Sequence, residues 1–195
     1  AAAGDVIPVN TQYKWTVAEP DEANFITGES GNDTWTSSFS TGTLINTTNE
    51  TKTVTYTVTS KAGTCTGVDF TVTITVNPTP SIPTVAPSIC SGTSFSVTPA
   101  DIDNAIVPVG TTYSWIVGSN DNITGQSASS SESGSIGQAL YQTTNTLQSI
   151  TYTVTATAGE CISTFPINVT VKPIPVIATP QNPPAICSGS PLTIT

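Results

Sequence analysis

The sequence predicts an all-β protein of successive antiparallel sandwiches, and three observations lead there. The 195 residues are rich in Thr, Ser, Val, Gly and Pro, and branching at Cβ favours pleated, half-buried surfaces over helix. Several short runs alternate apolar and polar residues, the pattern of strands with one packed face and one wet face. The chain also repeats itself at a spacing of about 97 residues, a domain length and far too long for a solenoid.

The repeat is visible along most of the chain. VPVGTTYSWIV (107–117) lies over IPVNTQYKWTV (7–17) at an offset of 100, and TTNTLQSITYTVTATAGEC (143–161) lies over TTNETKTVTYTVTSKAGTC (47–65) at 96. INVTVKPIP (167–175) lies over VTITVNPTP (72–80), and ICSG recurs at 89–92 and 186–189. The drift in offset puts insertions in the loop between Trp and TTN, where loops absorb them. The expected division is a unit lacking its first strand (1–79), a Pro-rich linker (80–88), a complete unit (89–174), a second linker (175–185) and the first strand of a further unit (186–195).

Each element has a local reason. TYSWIV puts Tyr113, Trp115 and Val117 on one face, as TQYKWTV does for Tyr13 and Trp15. TYTVTATA puts Tyr152, Val154 and Ala156 on one face and threonines on the other, with Tyr56 the counterpart of Tyr152. INVTV repeats the pattern with Ile167, Val169 and Val171. About seven short strands per unit suit an immunoglobulin-like sandwich. The predicted core is Tyr13, Trp15 and Tyr56 in one unit and Tyr113, Trp115 and Tyr152 in the other. AGTC and AGEC are the last hairpin turns, where Gly takes positive φ without a steric penalty. Pro at every second or third position after the last strand reads as a stiff, extended linker.

Charge and composition exclude several functions. The net charge is −9, with four Lys, no Arg and no His. Phosphate backbones need cations to displace counterions, so nucleic acid is not an expected partner. No apolar run approaches 18 residues, so no helical membrane span is expected. The chain opens on AAAGDV without Met, and Thr195 aligns with Thr98 while Ala1 aligns with Asp101. The expectation is therefore a segment of a longer tandem array.

Chemistry has few candidates. General acid–base work most often uses His and anion stabilisation often uses Arg, and both are absent. The carboxylate pairs Asp101/Asp103 and Asp21/Glu22 are not kept in the other unit, so no enzyme and no cofactor is expected. Asp101, Asp103, Asn104 and Asp121 are hard oxygen donors of the Ca²⁺ type. AAAG replaces DIDN in the first unit, however, and solvated loop carboxylates are the expected reading. Sequons at Asn32, Asn46, Asn49, Asn122 and Asn168 are what so Thr-rich a chain contains by chance. Trp35 and Phe39 stand in the variable loop and are candidates for a sugar-stacking patch, with half-buried loop aromatics the plainer expectation.

Four cysteines allow three pairings. If the first strand starts at the end carrying the last hairpin, Cys90 lies beside Cys161 and the two form a disulfide worth about 4 kcal/mol on the chain-entropy account. Cys65 and Cys187 then take partners outside this segment or in a neighbouring copy. Cys65 with Cys90 would join opposite ends of successive units. Paired cysteines imply an oxidising, extracytoplasmic setting. With no His and no close CxxC, a metal site is not expected.

Taken together, the C-S-G turn, Y-x-W-x-V, T-T-N, T-Y-x-V, G-x-C and V-x-V-x-P-x-P resemble the PKD-like, immunoglobulin-like repeats of Bacteroidota. Such repeats occur in tandem in giant cell-surface proteins, including SprB-like gliding-motility adhesins. The W-D-F-G-D-G segment of ordinary PKD domains is replaced here by KWTVAEPDE and SWIVGSNDN, so nothing argued from that segment carries over. The resemblance implies an extracellular, bacterial cell-surface location and a structural stalk that presents a distal adhesive region. Neighbouring repeats are its expected partners, with surface glycans or a substratum beyond them. Two other expectations stand beside it. One is a carbohydrate-binding or spacer module of a secreted enzyme. The other is a filament subunit that polymerises by strand addition, in which Cys65 of one chain meets Cys187 of the next.

Overall fold

A computed structural model describes residues 6–18, 25–176 and 185–191. Every regular element among them is a strand. The first unit contains β1 (Thr11–Val17), β2 (Ile26–Thr27), β3 (Asn32–Thr36), β4 (Ile45–Asn46), β5 (Lys52–Ala62), β6 (Cys65–Thr66) and β7 (Phe70–Val76). The second contains β8 (Ser88–Cys90), β9 (Thr93–Val97), β10 (Thr112–Val117), β11 (Ile123–Thr124), β12 (Ser129–Ser133), β13 (Ile136–Gln142), β14 (Gln148–Ala158) and β15 (Cys161–Lys172).

The second unit is a complete sandwich. One sheet runs β12-β10-β14-β15-β8 and the other β11-β13-β9. Period-two alternation aims Tyr152, Val154 and Ala156 of β14 inward beside Phe165, Ile167, Val169 and Val171 of β15, and all seven are buried. Phe95 and Val97 of β9 and Ile136 and Leu140 of β13 close the core from the other sheet. Gly159 and Glu160 join β14 to β15 between the paired Ala158 and Cys161. Gly159 has φ +59°, the left-handed conformation that a two-residue hairpin loop demands.

The first unit repeats the central sheet. β5 lies between β1 and β7, with β3 outside β1. Trp15 and Tyr56 are buried and Tyr13 is half-buried, whereas Tyr113, Trp115 and Tyr152 are all buried. In both units the register slips beside the Tyr-x-Trp pair, between Tyr13 and Trp15 and between Tyr113 and Trp115. A bulge of this kind re-aims side chains locally.

The unit boundary differs from a free linker. Ser81 bridges Ile106, and Val85 bridges Ile167 in parallel. Residues 85–90 thus run along the edge of β15, leaving only the start of the Pro-rich stretch as a connection. Residues 185–191 contain a turn and no strand; 192–195, the rest of the expected extra strand, lie outside the described residues.

The register also corrects the cysteine pairing. β8 runs parallel to β15, away from the hairpin, and sets Cys90 opposite Lys172. Cys161 is the first residue of β15 and Lys172 the last, so Cys90 and Cys161 are a strand length apart, about 36 Å at ~3.3 Å per residue. A disulfide needs Cα atoms within ~7 Å. The expectation failed because β8 does not start at the hairpin end: its first residue, Ser88, already lies opposite Thr170. No disulfide joins any two of the four cysteines within this chain.

Candidate functional site

Three regions carry the site residues expected from sequence: the inner clamp around Trp and Tyr, the junction between units, and the sheet face around Trp35.

The clamp holds the second core in register. Trp115 Nε1 donates to the Ser127 carbonyl at 3.0 Å. Gln138 Nε2 donates to the same carbonyl at 2.8 Å and to Ser127 Oγ at 2.7 Å. Gln138 Oε1 accepts from the Ser127 amide at 3.0 Å and from the Tyr152 hydroxyl at 2.8 Å. Burial pushes the Tyr152 phenol up to about 12, because the ionised form would lose its water. In the first unit Trp15 Nε1 donates to Ser30 O at 3.1 Å, but Phe39 packs edge-on against Trp15 and Tyr56, at 5.0 and 5.3 Å between ring centroids. The Tyr56 hydroxyl is buried without a hydrogen-bond partner. Burial, and then the nearby Glu29 carboxylate, raise its pKa.

The junction is built from the T-T-N turn. Asn46 Oδ1 accepts from the amide and hydroxyl of Thr48, and its Nδ2 donates to Glu50 O and Val76 O at 2.7 and 2.8 Å. One side chain thereby ties the turn to the end of β7. Gln142 does the same in the second unit, accepting from Thr144 and donating to Thr146 O and Val171 O. The turn presents Asn49, whose Nδ2 donates to Asp101 Oδ2 of the second unit at 2.7 Å. Asp101 Oδ1 accepts from the Val107 amide at 3.1 Å. Pro78 and Pro80 are buried in the connection, and Ser81 exchanges both backbone hydrogen bonds with Ile106, at 2.9 and 2.7 Å. The far end of the first unit therefore abuts the hairpin end of the second.

The candidate Ca²⁺ donors are not brought together. Asp101, Asp103 and Asn104 precede β10 and Asp121 follows it, so the strand's length separates them. Both Asp101 oxygens are already hydrogen-bonded, and no cluster of three metal-ligating side chains occurs among the described residues.

Trp35 stands on β3, flanked by Lys61 and Lys14, whose ammonium groups lie 4.3 and 5.4 Å from its ring centroid. Cations over the face of Trp are stabilised by its quadrupole. Three of the four cysteines, Cys65, Cys90 and Cys187, are exposed and Cys161 is half-buried. Sequence reasoning missed the junction latch: Asn49 and Asp101 lie 52 residues apart, and no local pattern links them.

The fold and junction define a class: tandem immunoglobulin-like β-sandwich modules set end to end. The chain belongs to the PKD-like domain family, which matches residues 3–80 and 87–175. Domains of this kind are typically non-catalytic and occur in extracellular proteins. No curated protein sequence matches the chain. Among solved structures it is similar to an endo-fucoidan hydrolase of glycoside hydrolase family 107, at 15% identity and a TM-score of 0.33, covering 83% of this chain and 24% of that one. It is also similar to a chimeric titin Z1Z2 (13%, TM-score 0.26, covering 84% and 83%) and to zebrafish RET cadherin-like domains 1 to 4 (15%, 0.25, covering 85% and 42%). The chain spans about a quarter of the hydrolase's length. No helix among the described residues is long and apolar enough to cross a membrane.

Proposed function

We propose that the chain is a load-bearing stalk segment of a large bacterial cell-surface adhesin, of the kind used in gliding motility, which holds a distal adhesive region away from the cell. The observation that carries this reading is the path of the backbone through the second unit. The chain enters at the hairpin end, against the first unit, and leaves β15 at the opposite end. Tension along the chain then shears β8 and the residues before it against β15. Val85 N to Pro166 O, Asn168 N to Val85 O, Thr170 N to Pro87 O and Ser91 N to Lys172 O, at 2.8 to 3.2 Å, lie across that seam. They are loaded together rather than one by one. Pro166, which has no amide hydrogen, sits at the upper limit of the seam and accepts through its carbonyl.

Single-molecule pulling tests the reading. Thr170→Pro removes one seam donor and lowers the unfolding force of the second unit, because forced unfolding follows the unfolding barrier. A force unchanged by this substitution would count against a mechanical role. The parent polypeptide supplies the other test: a catalytic domain on it would make these units the spacer of a secreted enzyme instead.

A further inference from the structure

The outer face of the first unit carries chemistry that the same face of the second lacks. Tyr13 and Trp15 of β1 pack against the core, so Lys14 and Thr16 point outward. On β5 the same alternation puts Thr57, Thr59 and Lys61 outside, between the core residues Tyr56 and Val58 and beyond them. The register sets Lys14 opposite Thr59 and Thr16 opposite Thr57. Trp35 stands on β3, on the other side of β1 from β5, and its ring meets both the Lys14 and the Lys61 ammonium groups. Lys14, Thr16, Asp33, Thr57, Thr59 and Asp69 line a cleft of about 200 Å³ on this face.

The fold does not require these residues. β10 pairs with β14 in the register in which β1 pairs with β5. There Ser114 takes the place of Lys14, Thr157 of Lys61, Ser130 of Asp33, Glu132 of Trp35 and Thr164 of Asp69. Lys14 and Lys61 are half of the chain's four lysines. Neither is in an ion pair, since the ion pair among the described residues is Lys52 with Glu50. The Asp33 and Asp69 carboxylates are likewise unpaired among the described residues. Four charged groups are thus held on or beside strands with their hydrogen-bonding capacity open.

The chemistry of the face selects its ligand. Two lysines and two aspartates leave it neutral in a chain of net charge −9, so net charge draws neither a polyanion nor a polycation to it. An ammonium only donates and a carboxylate only accepts, whereas a hydroxyl does both. A face that offers both beside threonine hydroxyls therefore matches a polyhydroxylated ligand. Trp35 is half-buried, and the electron-rich face of an indole attracts the C–H groups of a pyranose ring. A protein partner is the poorer match, because the centres of protein interfaces are depleted of Lys and Asp. The cleft is smaller than pockets that enclose a free ligand, about 300–1,000 Å³, and suits one unit of an extended chain.

We propose that this face binds an uncharged polysaccharide, with a pyranose ring against Trp35 and its hydroxyls hydrogen-bonded by Lys14, Lys61, Asp33 and Asp69. The site belongs to the first unit alone and does not rest on the load-bearing reading.

Native electrophoresis of the chain through gels containing laminarin, galactomannan or hydroxyethylcellulose tests the proposal, with dextran sulfate as the charged comparison and a polymer-free gel as the reference. At least one uncharged polymer should retard the chain. Trp35→Ala should weaken that binding about tenfold or more, the loss expected when an aromatic contact goes. Lys14→Ser with Lys61→Thr, which installs the second unit's residues and so keeps the fold, should weaken it similarly, while Lys172→Thr leaves it unchanged. Thermal midpoints of the variants, close to that of the parent, separate lost binding from lost folding. Passage through all three uncharged gels without retardation, retardation by dextran sulfate alone, or retardation that survives Trp35→Ala would each overturn the proposal.

Discussion

Asn49 of the first unit and Asp101 of the second are joined by a hydrogen bond of 2.7 Å from Nδ2 to Oδ2. It sits at the contact between two modules that share no other side-chain hydrogen bond among those described. Asp101 is held from within its own unit by the Val107 amide, and Asn49 is held by the turn that Asn46 braces. Each partner is therefore fixed before the bond forms, which lowers its entropic cost.

Asn49→Ala should accordingly leave each unit's own stability within about 0.5 kcal/mol, and Asp101→Ala, which also loses the Val107 amide, should cost the second unit about 1 kcal/mol; both loosen the units' relative orientation. Small-angle scattering, or a distance distribution between spin labels on the two units, reads this directly. The distribution should broaden in either variant, and the double variant should be no broader than Asp101→Ala alone, because both changes remove the same bond between the units.

The buried phenols make stability fall at high pH. The Tyr152 proton is lost at about 12 in the folded chain against 10.0 in an unfolded one. Between those values the folded state holds a proton that the unfolded state has released, so stability decreases as pH rises. Below about pH 10 the contribution is fully present. Tyr113, also raised by burial, adds to the same trend. Denaturant midpoints followed through this window should fall, and Tyr152→Phe should flatten the slope while costing about 1 kcal/mol at neutral pH for the hydrogen bond to Gln138.

Much of the fold was legible because strand alternation is local. Tyr152, Val154 and Ala156 had to share a face, and the repeat supplied a second reading of every strand. The direction of the edge strand was not legible. Nothing in SICSG says that it joins the last residues of β15, in parallel, rather than the hairpin end, and the Cys90–Cys161 pairing failed on that point alone. The latch at Asn49 was hidden for a related reason: DIDN has no counterpart in AAAG, so the repeat could not reveal it. Phe39 is a further case. It fills the place against Tyr56 that Phe95 takes against Tyr152 at 5.1 Å, yet the two come from unrelated positions in the repeat.

The cysteine geometry has a direct chemical consequence. Cys90→Ser and Cys161→Ser, singly or together, should leave the thermal midpoint of the second unit unchanged in reductant and in its absence. A disulfide between them would instead contribute about 4 kcal/mol. Peptide mapping of the unreduced monomer should recover Cys90 and Cys161 on separate, unlinked peptides.

Gly125 is required by its backbone. Its φ is +90°, and a Cβ there would run into the carbonyl oxygen of Ala139. Gly28 meets Thr43 in the same way in the first unit, and both follow an Ile-Thr strand. Gly125→Ala should destabilise the second unit by roughly 2 kcal/mol or more, seen as an earlier transition in Trp115 fluorescence.

The strongest contrast lies between Phe165 and Phe70, the same residue in the same strand of two units. Phe165 is enclosed and meets Tyr113 edge-on at 6.2 Å, so Phe165→Ala leaves a cavity and should cost about 3–5 kcal/mol. Phe70 is nearly half exposed, and Phe70→Ala removes less buried area and leaves a notch that water fills. It should cost the first unit under about 2 kcal/mol in a dilute monomer. Urea titrations that follow each unit separately distinguish the two.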